Sequence, residues 1–307
     1  MSVKLEGILV ATLTPFKEGY EIDEIGLRRL IRHLATADGI NAYVCNAGAG
    51  EGATLTREER VRCIEIIFEE AGGAAVIAGV EALSTREAIQ QARDAKDAGA
   101  AAVMLTPPHV YDWSAPANPE FALQYFRDVA SAVELPITIF HYPASTPSGY
   151  SPDTAVRIAR EVDSVVAIKV ASGANIRRYE QVLRGMRSLP RHVSVLATSS
   201  LFQHFITGAD GALTGFANFA PEFCVKLFRS VQEGNLEEAR RLHEINYALE
   251  AAVYKAPNVY KHSRYKVAAY FAGLLDNMLV RPPQIPVPEA ELKLIRDTMA
   301  QLGFLKR

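Results

Sequence analysis

The chain has 307 residues, 49% hydrophobic and 22% charged. That is the composition of a globular protein and excludes a disordered or fibrous one. Lys and Arg number 33 against 35 Asp and Glu, a net charge of −2, so no bulk positive field exists to hold nucleic acid or an anionic membrane. The opening MSVKLEGILV lacks a basic head before a long apolar stretch, and no apolar run reaches the roughly 20 residues of a membrane helix. The expectation is a cytoplasmic protein. Cys45, Cys63 and Cys224 are odd in number, scattered and set in apolar contexts. They fit neither a disulfide framework nor a zinc site and are expected to be buried small hydrophobes.

In chain order, short apolar runs occur at 7–13, 40–45, 74–79, 101–106, 136–142, 165–170, 192–197 and 211–216. They are continuously apolar, as strands buried on both faces of a parallel sheet are. Helical patterns lie between them. Over 23–37, Ile25, Leu27, Leu30, Ile31 and Leu34 are assigned to the core side. Thr56-Arg57-Glu58-Glu59 reads as a capping box ahead of Val61, Ile64 and Phe68, and Ser84-Thr85-Arg86-Glu87 repeats that opening. Further helices are expected over 118–133, 151–162, 175–186, 200–207 and 221–232. Gly39, Gly99, Gly208 and Gly234 stand where helices should stop.

Eight strand-helix units in about 230 residues predict a (β/α)8 TIM barrel over 1–230. A C-terminal helical extension over 231–307 follows, with helices near 235–255, 260–276 and 288–302. The competing doubly wound sheet usually opens on a glycine-rich turn, whereas here the first strand runs into Thr14-Pro15-Phe16.

A TIM barrel works at the C-terminal ends of its strands, which narrows the candidates. Lys169 closes the apolar run Val165-Val166-Ala167-Ile168. An amine held there loses hydration, favours its neutral form and can attack a ketone to give a Schiff base. The alternative is a rim lysine paired with a carboxylate or reaching to water. Asn46-Ala47-Gly48-Ala49-Gly50-Glu51-Gly52 can present N–H groups to an anion, or is simply a tight turn that needs glycine. His109, Tyr111, His141 and Tyr142 are candidate proton carriers. His33, His192, His204, His243 and His262 are assigned structural roles, and Asp163 and Asp210 fall at the stability end. No spacing suggests a metal site or a P-loop.

Taken together, these strings resemble the dihydrodipicolinate synthase / N-acetylneuraminate lyase family of class I aldolases. The resemblance covers nearly the whole chain. It rests on Ala11-Thr12-Leu13-Thr14-Pro15-Phe16, Gly50-Glu51, Leu55-Thr56, Glu58-Glu59-Arg60, Thr106-Pro107, Pro143, Ile168-Lys169, Gly208-Ala209-Asp210-Gly211 and Val280-Arg281-Pro282-Pro283. It implies a Schiff-base lyase on pyruvate or another 2-oxo acid, with Lys169 as the nucleophile. It also implies a homotetramer, with no metal or organic cofactor.

Departures from the family pattern are equally specific. The hydroxyl-bearing pair before Gly-Glu is Gly48 and Ala49. The relay tyrosine of the fifth strand is Phe140, in Phe140-His141-Tyr142-Pro143. The synthase's second-aldehyde arginine falls at Ser145, the tyrosine after Thr-Pro falls near His109, and the acidic residue after the lysine is Val170. The lyase's sugar-binding acids fall on Ser199, Ser200 and Leu201. The expected catalytic pair is therefore Lys169 and Tyr142, the latter two residues past Phe140 on the same strand face. Thr14, Gly48, Ala49, His109, His141 and, by the resemblance, the backbone of Leu213 form the expected substrate-binding set. Two other readings are a non-catalytic ligand-binding or regulatory homologue and a phosphate-handling barrel built around Gly215.

Overall fold

The computed structural model describes residues 5–108, 118–142, 146, 149–172 and 175–307. Eight parallel strands close into one barrel in the order β1 to β8: β1 Gly7–Ala11, β2 Ile40–Cys45, β3 Ala75–Val80, β4 Ala102–Leu105, β5 Ile137–His141, β6 Val165–Val170, β7 Ser194–Ala197 and β8 Gly211–Thr214. β1 pairs with both β2 and β8, which closes the ring and leaves no sheet edge. The helices are α1 Glu24–Leu34, α2 Arg57–Glu70, α3 Thr85–Asp97, α4 Pro119–Ala132, α5 Pro152–Glu161, α6 Ile176–Arg187, α7 Leu201–Thr207 and α8 Pro221–Gln232. Then come α9 Leu236–Val253, α10 Lys261–Phe271 and α11 Glu289–Gln301. Among the described residues, none of these helices is long and apolar enough to cross a membrane.

Local signals in the sequence are realised as physical devices. Thr56 accepts from the Glu59 N–H while the Glu59 carboxylate accepts from the Thr56 N–H, a complete capping box. Ser84 caps α3 through the Glu87 N–H, but the Glu87 carboxylate takes the Leu83 N–H instead of closing the same box. Gly39, Gly99, Gly208 and Gly234 all have positive φ, from +72° to +112°, a conformation that glycine adopts without a Cβ penalty. All three cysteines are buried thiols.

One assignment to the core is corrected. Ile25 is 74% exposed, because it stands about 200° around the helix from Leu27, whose stripe through Leu30, Ile31 and Leu34 is the buried one. Phe68, in the run behind the Thr56 capping box, is 58% exposed, with its ring against Gly99, where a Cβ would stand 3.1 Å from Cγ.

The C-terminal helices are fastened to the catalytic end of the barrel. Lys266 of α10 is fully buried and its Nζ lies 2.5 Å from Glu51 Oε1. The Arg281 N–H donates to Glu51 Oε2 at 2.8 Å, and its guanidinium forks onto Glu59 at 2.7 and 2.8 Å. Asn277 donates to the Phe16 carbonyl at 2.9 Å. Buried Arg264 joins α10 to α11 through Glu291, Nε to Oε2 at 2.7 Å. The sequence strings around Gly50-Glu51, Glu59 and Arg281 are thus parts of one clamp.

Candidate active site

Lys169 occupies the penultimate position of β6, with Phe140 of β5 on one side and Leu196 of β7 on the other. Its neighbours Ile168 and Val170 are buried apolar groups, and Lys169 itself is 7% exposed. Its Nζ lies 4.3 Å from the centroid of the Phe140 ring. Among the described residues no carboxylate comes within ion-pairing distance of it, so the rim-lysine alternative is not the geometry found. Burial, with a smaller push from the Lys261 charge and a partial offset from Glu81, lowers the amine to about 7. Glu81 is the reciprocal case, pushed up to about 7 mainly by burial, with Lys169 and Arg60 opposing.

Lys169 opens into a cavity of about 520 Å³ at the C-terminal mouth of the barrel, a size usual for small-molecule sites. Gly48 and Ala49 line it, as do Phe140 and Tyr142. The glycine-rich segment after β2 forms a 3₁₀ turn over Gly48–Gly50. The N–H groups of Gly50, Glu51 and Gly52 bond back to Ala47 and Gly48 carbonyls. Those of Gly48 and Ala49, at the start of the turn, stand outside its internal bonding. Thr14 is buried beneath this loop, its hydroxyl donating to the Gly50 carbonyl at 2.8 Å. It shapes the loop and is not part of the cavity wall. Gly52 is obligatory, since a Cβ there would stand 1.9 Å from the Asn46 carbonyl oxygen.

Tyr142 follows β5 directly, and its ring stacks on Phe140 at 4.4 Å between centroids. The expectation that both share a face therefore holds. His141, between them, points to the other face, as alternate strand residues must. It is fully buried, with Nε2 2.8 Å from the Tyr150 carbonyl and 2.8 Å from the Arg178 guanidinium. Burial and the Arg178 charge push it down to about 4. It packs between strand and helix layers rather than against the cavity. Leu213 is buried within β8 opposite Leu9, and Gly215, two residues on, lines the cavity. His109, Tyr111, Pro143 and Ser145 lie outside the described residues.

The extension supplies residues that reading strand ends alone could not find. Lys261, His262 and Tyr265 of α10 line the same cavity. The ring of Tyr265 fills the space beside Gly215, where a Cβ would stand 2.5 Å from Cε2, so this glycine accommodates an aromatic ring. Tyr254, at the C-terminal cap of α9, donates to the Thr198 carbonyl at 3.2 Å and lies 3.3 Å from the Thr214 hydroxyl. Burial drives His262 well below the ordinary imidazole range, and the charges of Lys261, Lys169 and Lys266 act the same way. The structural role assigned to His262 is therefore incomplete, since its ring belongs to the cavity wall.

Among the described residues, one group of possible metal ligands gathers at the opposite end of the barrel: Glu6, His192 and Asp210. Asp210 is already engaged by Arg187 at 2.7 Å and by the Val195 N–H at 2.7 Å.

A closed parallel barrel with a poorly hydrated lysine at its mouth has the form of a class I aldolase site. A model of the dihydrodipicolinate synthetase family matches residues 4–302. The 4-hydroxy-tetrahydrodipicolinate synthase of Campylobacter hominis is 32% identical over 302 residues, 97% of each chain. A solved dihydrodipicolinate synthase from Thermotoga maritima has a TM-score of 0.88 at 26% identity, over 98% of this chain and 100% of that one. A structure of a monomeric dihydrodipicolinate synthase variant gives a TM-score of 0.90 at 26% identity, over 99% and 98%. The chain belongs to the dihydrodipicolinate synthetase family. It is a Schiff-base lyase of the class I aldolase kind, as its sequence strings implied.

Proposed function

We propose that the protein is an aldolase or dehydratase acting on pyruvate or a larger 2-oxo acid through Lys169. The observation that carries this is the burial of the Lys169 amine at the cavity, which lowers it to about 7. The neutral amine adds to the C2 ketone, and loss of water from the adduct gives an iminium that withdraws electrons from C3. A proton or a C–C bond at C3 then breaks. The substrate carboxylate is directed to the N–H groups of Gly48 and Ala49, and Tyr142 carries the proton in place of the tyrosine that Phe140 replaces. Phe140, with the hydroxyl-free pair Gly48-Ala49, supports a substrate different from that of the synthases named among the relatives. The regulatory alternative has the missing relay tyrosine at Phe140 in its favour, and the retained Lys169 opposes it.

The test is borohydride trapping with a panel of 2-oxo acids, read by intact mass. The adduct should map to the peptide containing Val166-Ala167-Ile168-Lys169 and vanish in Lys169→Ala. No adduct with any acid at neutral to mildly alkaline pH would refute the Schiff-base assignment. Formation of 4-hydroxy-tetrahydrodipicolinate at the rate of the Campylobacter enzyme would refute the altered substrate.

The same proposal keeps a barrel over 1–230, a packed extension over 231–307, a cytoplasmic location and a homotetramer needing no metal or organic cofactor. The tetramer rests on the family. Light scattering at micromolar concentration that gives the mass of one chain would exclude it.

A further inference from the structure

Lys261 is the first residue of α10 and lines the cavity that Lys169 opens into. Among the described residues, no carboxylate lies within ion-pairing distance of it. The cavity's two acids are otherwise engaged: Glu51 pairs with Lys266 at 2.5 Å, and Glu81 is coupled to Lys169 and Arg60. A partly buried ammonium without a counter-ion is costly. Such groups in a cleft mark places where a ligand supplies the opposite charge.

Lys261 and His262 are successive residues of α10 that both line the cavity. His262 is the residue against Gly48, its ring being what a Cβ there would meet, so it lies on the loop proposed to receive the first carboxylate. Lys261 is one residue earlier, about 100° around the helix, and follows Asn258 and Val259, which also line the cavity. The volume of about 520 Å³ leaves room well beyond what pyruvate fills.

We infer that Lys261 is the subsite for a second, distal carboxylate, so that the 2-oxo acid bound at Lys169 is a dicarboxylate. This rests on the Schiff-base reading and adds to it the substrate class. The charge count agrees when Glu81, pushed up to about 7 by burial, carries its proton: the iminium then balances the carboxylate at C1, and Lys261 is left to balance one more anion. A single ammonium matches a carboxylate, whereas a dianionic phosphate would call for further donors.

The experiment is borohydride trapping of pairs of 2-oxo acids of equal length with and without a terminal carboxylate: 2-oxoglutarate against 2-oxopentanoate, and 2-oxoadipate against 2-oxohexanoate. A 2-oxo acid with a terminal phosphonate is included. The concentration for half-maximal labelling is measured in wild type, Lys261→Gln and Lys261→Arg. At least one dicarboxylate should label wild type at roughly 10- to 100-fold lower concentration than its uncharged partner, the range of a charge-assisted hydrogen bond. Lys261→Gln should bring that ratio to within about twofold, and Lys261→Arg should largely keep it.

A wild type that traps pyruvate but does not distinguish the pairs overturns the subsite and leaves the Schiff-base reading standing. Equal weakening of every acid in Lys261→Gln also overturns it, because a residue that only lowers the Lys169 amine moves all acids together. A preference for the phosphonate removes the carboxylate assignment. If Lys261→Gln does not fold, the wild-type ratios and Lys261→Arg still decide. If wild type traps no acid at all, the Schiff-base reading fails first.

Discussion

The imidazole of His262 stands where a side chain at position 48 would stand: a Cβ on Gly48 would lie 2.8 Å from Cε1 and 3.1 Å from Nε2. A loop that lacks a hydroxyl at this position is thus completed from α10. Gly48→Ala must push the ring aside and should weaken pyruvate trapping by roughly tenfold, about 1.4 kcal/mol. In the double variant Gly48→Ala/His262→Ala the two losses should not add, with a coupling of about 0.5–3 kcal/mol. Strict additivity in the four-variant cycle would mean that ring and loop do not interact.

The rate of imine formation should rise with pH through about 7, far below the 10.5 of an ordinary lysine, because only the neutral amine is nucleophilic. Single-turnover trapping between pH 5 and 10 measures this directly. The same shift has a stability consequence. Between about 7 and 10.5 the unfolded chain holds a proton on Lys169 that the folded chain has lost, so this group makes stability rise with pH across that window. Lys169→Met should be the more stable protein at pH 7, with the gap closing toward pH 10 in urea unfolding.

Tyr142→Phe should lower turnover by roughly 10²–10⁴-fold while imine formation remains measurable, the signature of a lost proton carrier rather than a lost nucleophile. Full activity in this variant would remove Tyr142 from the mechanism and direct attention to Tyr265, the other phenol of the cavity wall among the described residues.

Glu51 and Lys266 are each at most 2% exposed. Removing one member of such a buried pair leaves an uncompensated charge and should cost about 3–5 kcal/mol. Lys266→Met should show this as a lower urea midpoint with an unchanged slope. A loss below about 1 kcal/mol would mean that the pair behaves like a surface ion pair.

Much of the barrel was legible because its strands carry an unmixed signal. The apolar runs 40–45 and 165–170 coincide with β2 and β6, whose last four residues are buried in each strand. Lys169 was legible for the same reason, as one charge in such a run. Ile25 misled because a side chain near the end of a helix can fit an apolar pattern while lying off the buried stripe. His141 and Tyr142 could be separated only by strand parity, which places the phenol on the Phe140 side and the imidazole behind it. Lys261, His262 and Tyr265 carried no local signal at all. They reach the cavity through the docking of α10, a long-range event that strand-end reasoning does not contain.

The clamp between Glu51, Lys266 and Arg281 also fixes when the protein becomes competent during its synthesis. The barrel strands leave the ribosome first, and domains fold from the N-terminus as they emerge. The loop at Gly48–Gly50 is made more than two hundred residues before the groups that hold Glu51 in place. A nascent chain whose eight strands have already closed still lacks one wall of its cavity. A premature stop codon between the end of β8 and Lys266 therefore leaves all eight strands and Lys169 in the chain, but neither Lys266 nor Arg281 to hold Glu51.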